Sequence, residues 1–130
     1  MDNPNNKTSV IKNFDLEKYK TLIENFPCHI ASVNCNGNPN LSVADHCIVL
    51  SKNKILLPVI EMVNTPDCVK NNSNIVLTFF NEAWAGIRLS GTATFETEGK
   101  WYNYTIKNYT RRTTPFGAIL VKVNEAEGIA

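Results

Sequence analysis

The sequence predicts a mainly β protein with a few short helices, folded as a six-stranded antiparallel barrel that is closed or nearly closed. Three observations carry this expectation. Residues 86–98 alternate, with Ile87, Leu89, Gly91, Ala93 and Phe95 on one side and Arg88, Ser90, Thr92, Thr94 and Glu96 on the other, which is the period of a half-buried strand. The apolar runs are joined mostly by turns too short for a crossover, so neighbouring strands are antiparallel. Helical spacing is confined to short stretches, and closure would remove the pairing edges that an open sheet of this length exposes.

The elements follow in order. Residues 1–13 are polar and read as a flexible arm ahead of one domain over 14–130. Asp15 suits a helix N-cap. Leu16, Tyr19, Leu22, Ile23 and Phe26 recur at helical spacing, and Pro27 stops the helix. Residues 29–34 are a first strand, closed by the turn Asn36-Gly37-Asn38-Pro39. Residues 41–50 are a second, Ser51-Lys52-Asn53 turns the chain, and 54–60 are a third, together an antiparallel meander. In Glu61-Met62-Val63-Asn64-Thr65-Pro66-Asp67, Thr65 suits an N-cap, Pro66 the first helical position and Asp67 the first turn of a helix over 66–72. Residues 75–80 and 86–98 are the fourth and fifth strands. Residues 100–109 form a helix with Trp101, Tyr104 and Asn108 on one face, and 118–123 form the last strand.

Composition bounds the function. The chain has 130 residues, of which 43% are hydrophobic and 19% charged, enough to bury a core without disulfide or metal. Its 13 basic and 12 acidic residues leave a net charge of +1. That balance argues against a nucleic-acid or polybasic membrane binder. No stretch approaches a membrane span, and the polar start lacks a signal-peptide core; a cytoplasmic protein is expected. Cys28, Cys35, Cys47 and Cys68 form no C-x-x-C pair and read as free thiols. Two histidines, His29 and His46, make a metal site improbable.

Few residues carry chemical signals. The segment around Asn64 and Thr65 reads either as a phosphate site at a helix start or as a plain cap. Asp45 interrupts an apolar strand and shares a face with Leu41, Val43, Cys47 and Val49, so it must be hydrogen-bonded, at a cavity or at an interface. Adjacent Asp45 and His46 point to opposite sides and do not make an acid–base pair. Arg88 reads as a solvated side chain or as a contact to a ligand or neighbouring subunit. Trp84, in a turn, reads as the cover of a pocket or interface. No side chain stands out as catalytic, and dinucleotide, P-loop, nucleophile-elbow and zinc-protease motifs are absent.

Several runs carry a resemblance together. Asn38-Pro39-Asn40-Leu41-Ser42-Val43, Lys54-Ile55-Leu56-Leu57-Pro58-Val59, Glu61-Met62-Val63-Asn64-Thr65-Pro66, Asn72-Ser73-Asn74-Ile75-Val76-Leu77-Thr78 and Arg88-Leu89-Ser90-Gly91-Thr92-Ala93 stand in this order. Their order resembles the FMN-binding split-barrel proteins of the pyridoxamine 5'-phosphate oxidase-like superfamily, above all the short members from sulfate-reducing bacteria. The resemblance implies a homodimer with FMN in a groove between subunits. It would place Val43, Ala44 and Asp45 along the isoalloxazine from the second strand, Ile60, Glu61 and Met62 along it from the third, and Asn64 and Thr65 at the phosphate. Arg88 is carried with them as a cofactor-binding candidate. Asn64 stands where members often have Lys or Arg, Cys68 where many have Asn, and Ser73 where Pro is usual. The function implied is a flavoprotein oxidoreductase, either flavin reductase-like with NADH or NADPH as donor or an electron carrier. The alternatives are pyridoxamine 5'-phosphate oxidase activity and a non-enzymatic module binding flavin, haem or a deazaflavin.

Overall fold

A computed structural model describes residues 9–62, 64–111 and 113–129. Val63, Arg112 and residues 1–8 of the expected arm lie outside them. Eight strands are present among the described residues: β1 (Ser9–Val10), β2 (Cys28–Val33), β3 (Pro39–Ala44), β4 (Ile48–Ser51), β5 (Lys54–Val59), β6 (Asn74–Phe80), β7 (Gly86–Glu96) and β8 (Gly117–Ile129). The helices are α1 (Lys20–Asn25), preceded by a 3₁₀ turn at Leu16–Tyr19, α2 (Thr65–Asn71) and α3 (Lys100–Asn108). Of the expected arm, Ser9 and Val10 pair with Gly128 and Glu127 of β8.

Seven strands run in the order β3-β2-β6-β7-β8-β5-β4, and the two-residue β1 attaches to β8. All pairings are antiparallel. The expected single strand over 41–50 is two strands. It breaks at residues 45–47, β3 pairs with β2, and β4 pairs with β5. The break therefore lies where the chain leaves one edge of the sheet for the other. The expected meander of three consecutive strands is replaced by two hairpins at opposite ends of one curled sheet. β3 also comes against β5 without pairing to it, so the barrel is split rather than fully closed.

The local reasons are those the sequence supplies. Asp15 caps the 3₁₀ turn, its Oδ1 accepting from the Glu17 N–H at 3.1 Å. Leu16 and Ile23 are buried, with Tyr19 and Leu22 packed beside them. On β7 the alternating set Ile87, Leu89 and Ala93 faces the core, joined there by Leu77 and Phe79 of β6 and Ile119, Val121 and Val123 of β8. β8 is longer than the expected 118–123 because it pairs with three partners, β1, β5 and β7. In α3 the buried residue is Thr105, whereas Tyr104 is exposed. The helix start is capped from β7, the Tyr102 N–H donating to Glu96 Oε1 at 2.7 Å.

A candidate ligand trough along β3

β3 places its polar and apolar residues opposite to the pattern expected of a core strand. Asn40 and Ser42 point inward, and Leu41 and Val43 are 74% and 53% exposed. The cause lies across the fold in α2. Thr65 is fully buried, and its hydroxyl lies 2.6 Å from Ser42 Oγ and accepts from Asn40 Nδ2 at 3.1 Å. The Asn40 amide also donates to the buried Ser32 hydroxyl at 3.2 Å. A buried hydroxyl needs partners, and the polar side of β3 supplies them. Thr65 is thus not the expected N-cap. Asn64 holds that position without a side-chain cap bond, and Thr65 is the first helical residue.

Two adjoining hollows run beside this strand. One, of about 300 Å³, is lined by Asn40, Leu41, Ser42, Val43, Glu61, Met62, Asn64 and Thr65. The other, of about 30 Å³, is lined by Val43, Ala44, Asp45, Pro58, Ile60, Glu61 and Met62. They share Val43, Glu61 and Met62. Eight of the nine residues singled out from sequence, Val43, Ala44, Asp45, Ile60, Glu61, Met62, Asn64 and Thr65, border this trough. Arg88 does not. It lies on β7 and makes an ion pair with its cross-strand neighbour Glu127 at 2.9 Å. Among the described residues no lysine or arginine lines either hollow.

The inner end of the trough is fixed by contacts that sequence reasoning missed. The Tyr109 hydroxyl donates to the Asp45 carboxylate, 3.2 Å from each oxygen. Tyr109 itself is 5% exposed. The His46 ring lies against Tyr109, with centroids 6.1 Å apart. His46 Nδ1 is 2.8 Å from the Glu24 carbonyl of α1; since a carbonyl only accepts, that nitrogen carries the proton. Glu24 Oε2 in turn accepts from the Val49 N–H at 2.8 Å. α1, the end of α3 and the β3–β4 break are thereby tied together beside Asp45. Behind Ala44, its pairing partner Cys28 is fully buried with Cys47. Burial pushes the Cys28 thiol well above the ordinary thiol range, and the neighbouring Cys47 raises it further by a hydrogen bond and by charge. Both are inert packing groups rather than nucleophiles.

Asn40, Leu41 and Ser42 also line the larger hollow without having been singled out. Their signal was the alternation Asn-Leu-Ser-Val itself, whose polar members turn toward Thr65. The trough has apolar side chains toward Val43, Ala44, Ile60 and Met62, interrupted by the carboxylates of Asp45 and Glu61, and hydroxyls and amides toward Asn40, Ser42, Asn64 and Thr65. That arrangement suits a flat ring with polar edges at one end and an oxygen-rich tail at the other.

The comparisons with known proteins agree with the fold. The pyridoxamine 5'-phosphate oxidase family matches residues 16–129. A search of curated proteins returns no match. Among solved structures, HupZ of Group A Streptococcus superposes with a TM-score of 0.78 at 23% identity, covering 85% of this chain and 90% of that one. An FMN-binding protein from Syntrophomonas wolfei gives 0.73 at 18% identity, covering 88% and 86%. An F420 reductase gives 0.62 at 12% identity, covering 90% and 98%. At these identities the likeness is one of fold.

Proposed function

The chain belongs to the pyridoxamine 5'-phosphate oxidase family, and on that premise we propose that it is a cytoplasmic FMN-binding flavoprotein working in redox chemistry, with its flavin held at the contact between two copies of the chain. The observation that carries the reading is the trough along β3, which gathers eight residues from two separate sequence segments, 43–45 and 60–65. Its donor chemistry fits a phosphorylated flavin. Val43, Ala44, Ile60 and Met62 border the ring end and exclude water from it. Ser42 and Asn64 supply neutral donors at the ester end, while Asn40, whose Nδ2 serves Ser32 and Thr65, and Thr65 itself hold that end in place from below. Asp45, fixed by Tyr109, keeps the strand break beside the ring end open. When bound, the flavin supplies hydride or electron acceptance, and the protein contributes position, dielectric and hydrogen bonds. The exposed apolar side of β3 supports a second copy as the cover, since large apolar side chains presented together in one strand mark an interface.

The test is binding. The purified chain is expected to be yellow or to quench flavin fluorescence on titration with FMN. Thr65→Val keeps the shape of the buried side chain and removes two hydrogen bonds. One bond of about 1.4 kcal/mol is roughly tenfold in affinity, so the variant is expected to weaken FMN about tenfold while leaving riboflavin within about threefold. Equal loss of both would count against the ester assignment, and no flavin binding at all would overturn the reading. Anaerobic mixing of the holoprotein with NADH or NADPH separates a reductase, whose flavin bleaches, from a carrier, whose flavin does not.

A further inference from the structure

The trough does not stop at the proposed ester end. Beyond it lies a third hollow of about 260 Å³, lined by Asn34, Cys35, Pro39, Asn40, Asn64, Asp67, Cys68 and Asn71. It shares Asn40 and Asn64 with the neighbouring hollow, so the two meet at a common rim. β3 walls the whole series; from Pro39 to Ala44 it spans roughly 17 Å at about 3.4 Å per residue. The extension continues past Pro39 to the turn that carries Asn34 and Cys35.

The lining of this hollow differs from that of the other two. Four of its eight residues are asparagines; beyond their internal bonds Asn34 keeps its Nδ2 donors, Asn40 its Oδ1 acceptor, Asn71 its Oδ1 and one N–H, and Asn64 its whole amide. The Asn64 side chain makes no hydrogen bond among the described residues, and Asn40 spends only its Nδ2 on Ser32 and Thr65. The turn bearing Asn34 is held firm, its Oδ1 accepting from the N–H groups of Asn36 and Asn38 at 2.9 Å each. The Asn71 amide donates to the Asp67 carbonyl at 2.9 Å, which fixes that wall too. Asp67 is the one charged side chain of the lining. A carboxylate among amides suits a ribose diol and a base edge, as acidic residues do in dinucleotide sites, and it repels a further terminal phosphate.

We infer that this hollow is a nucleoside subsite, and that the chain takes the dinucleotide form of flavin, FAD, as well as FMN. The inference rests on the flavin reading above and extends it by one ligand class. The adenosine half is received by Asn34, Asn64, Asn71 and Asp67, and the hollow shares only its rim with the residues assigned to FMN.

The experiment is a set of fluorescence titrations of the purified chain with FMN, FAD and riboflavin, repeated on two variants. FAD is expected to bind within about tenfold of FMN. Asn71→Trp, an exposed position on the wall of the third hollow, fills it and is expected to weaken FAD at least tenfold while FMN stays within about twofold. Asp67→Ala, also exposed, is expected to weaken FAD alone by about three- to tenfold. Tight FMN binding with FAD more than about a hundredfold weaker overturns the subsite and leaves the flavin reading standing. So does equal loss of both flavins in Asn71→Trp with an unchanged circular dichroism spectrum. Binding of neither flavin removes the flavin reading, and the subsite with it.

Discussion

Trp84 is the residue whose backbone departs most from what its side chain prefers. It sits at φ +63° and is 73% exposed. A bulky residue in the left-handed region costs about 1–2 kcal/mol, and contact with the Phe80 ring, 5.9 Å away, returns about 0.5–1.5 kcal/mol. The turn is secured independently, because Asn81 Oδ1 accepts from the N–H groups of Ala83 and Ala85 at 2.9 and 3.1 Å. Trp84→Asn, which tolerates positive φ, is therefore expected to change the unfolding free energy by less than about 1 kcal/mol, measured by urea denaturation. A loss of several kcal/mol would show that this ring is buried in the assembly the protein forms in solution. Thr65 is the contrary case. A Thr before Pro reads as a cap, yet Asn64 takes that position, and the Ser42 hydroxyl and Asn40 amide that claim Thr65 lie on a strand more than 20 residues earlier.

β7 and β8 show how an element answers to its neighbours. Their register shifts between Ser90 and Gly91, where Glu125 and Val123 face consecutive residues and Asn124 is left over. Such a bulge bends the strands and increases their twist, which a curled sheet needs. Gly91 permits it: a Cβ there would meet the Lys122 carbonyl oxygen at 2.1 Å. Backbone on both sides cannot give way cheaply, so Gly91→Ala is expected to destabilise the fold by about 1–3 kcal/mol, read as a lowered melting temperature. An unchanged melting temperature would mean that β8 has room to slide. The alternation of β7 was legible because it is local. The break in the predicted second strand was not, since Leu41, Val43, Cys47 and Val49 share one period on paper. In the fold, Leu41 and Val43 face out while Cys47 and Val49 face in, and the three residues between them carry out the reversal.

The two-copy arrangement proposed above draws on what a single chain leaves uncovered. Leu41 and Val43 stand on the outer side of β3, beside the trough, and none of the described residues buries them. Burying a leucine side chain is worth about 1.5–3 kcal/mol, and a two-fold dimer would use the same patch twice. Leu41→Asp is expected to shift the protein from dimer to monomer in light scattering at micromolar concentration, and to weaken FMN with it if both copies wall the ligand. Loss of the dimer with FMN affinity intact would separate the interface from the site. A wild-type chain that scatters as a monomer would remove the two-copy arrangement altogether.

The chain's own order of residues was enough for the class of fold, the helix cap at Asp15, the turn at Asn36–Gly37, the alternation of β7 and the short helices near 66–72 and 100–109. These depend on backbone preference and side-chain period, which act over a few neighbouring residues. It was also enough to bring most of the trough to notice, because the runs along β3 and before α2 are contiguous. Other features needed the chain to be folded. The split at residues 45–47, the inward turn of Asn40 and Ser42, the grip of Tyr109 on Asp45 across 64 positions and the capture of Arg88 by Glu127 across 39 each require partners remote in sequence. No local preference encodes such a meeting. It arises when burial of the apolar faces brings strands together and every polar group caught between them must find a partner.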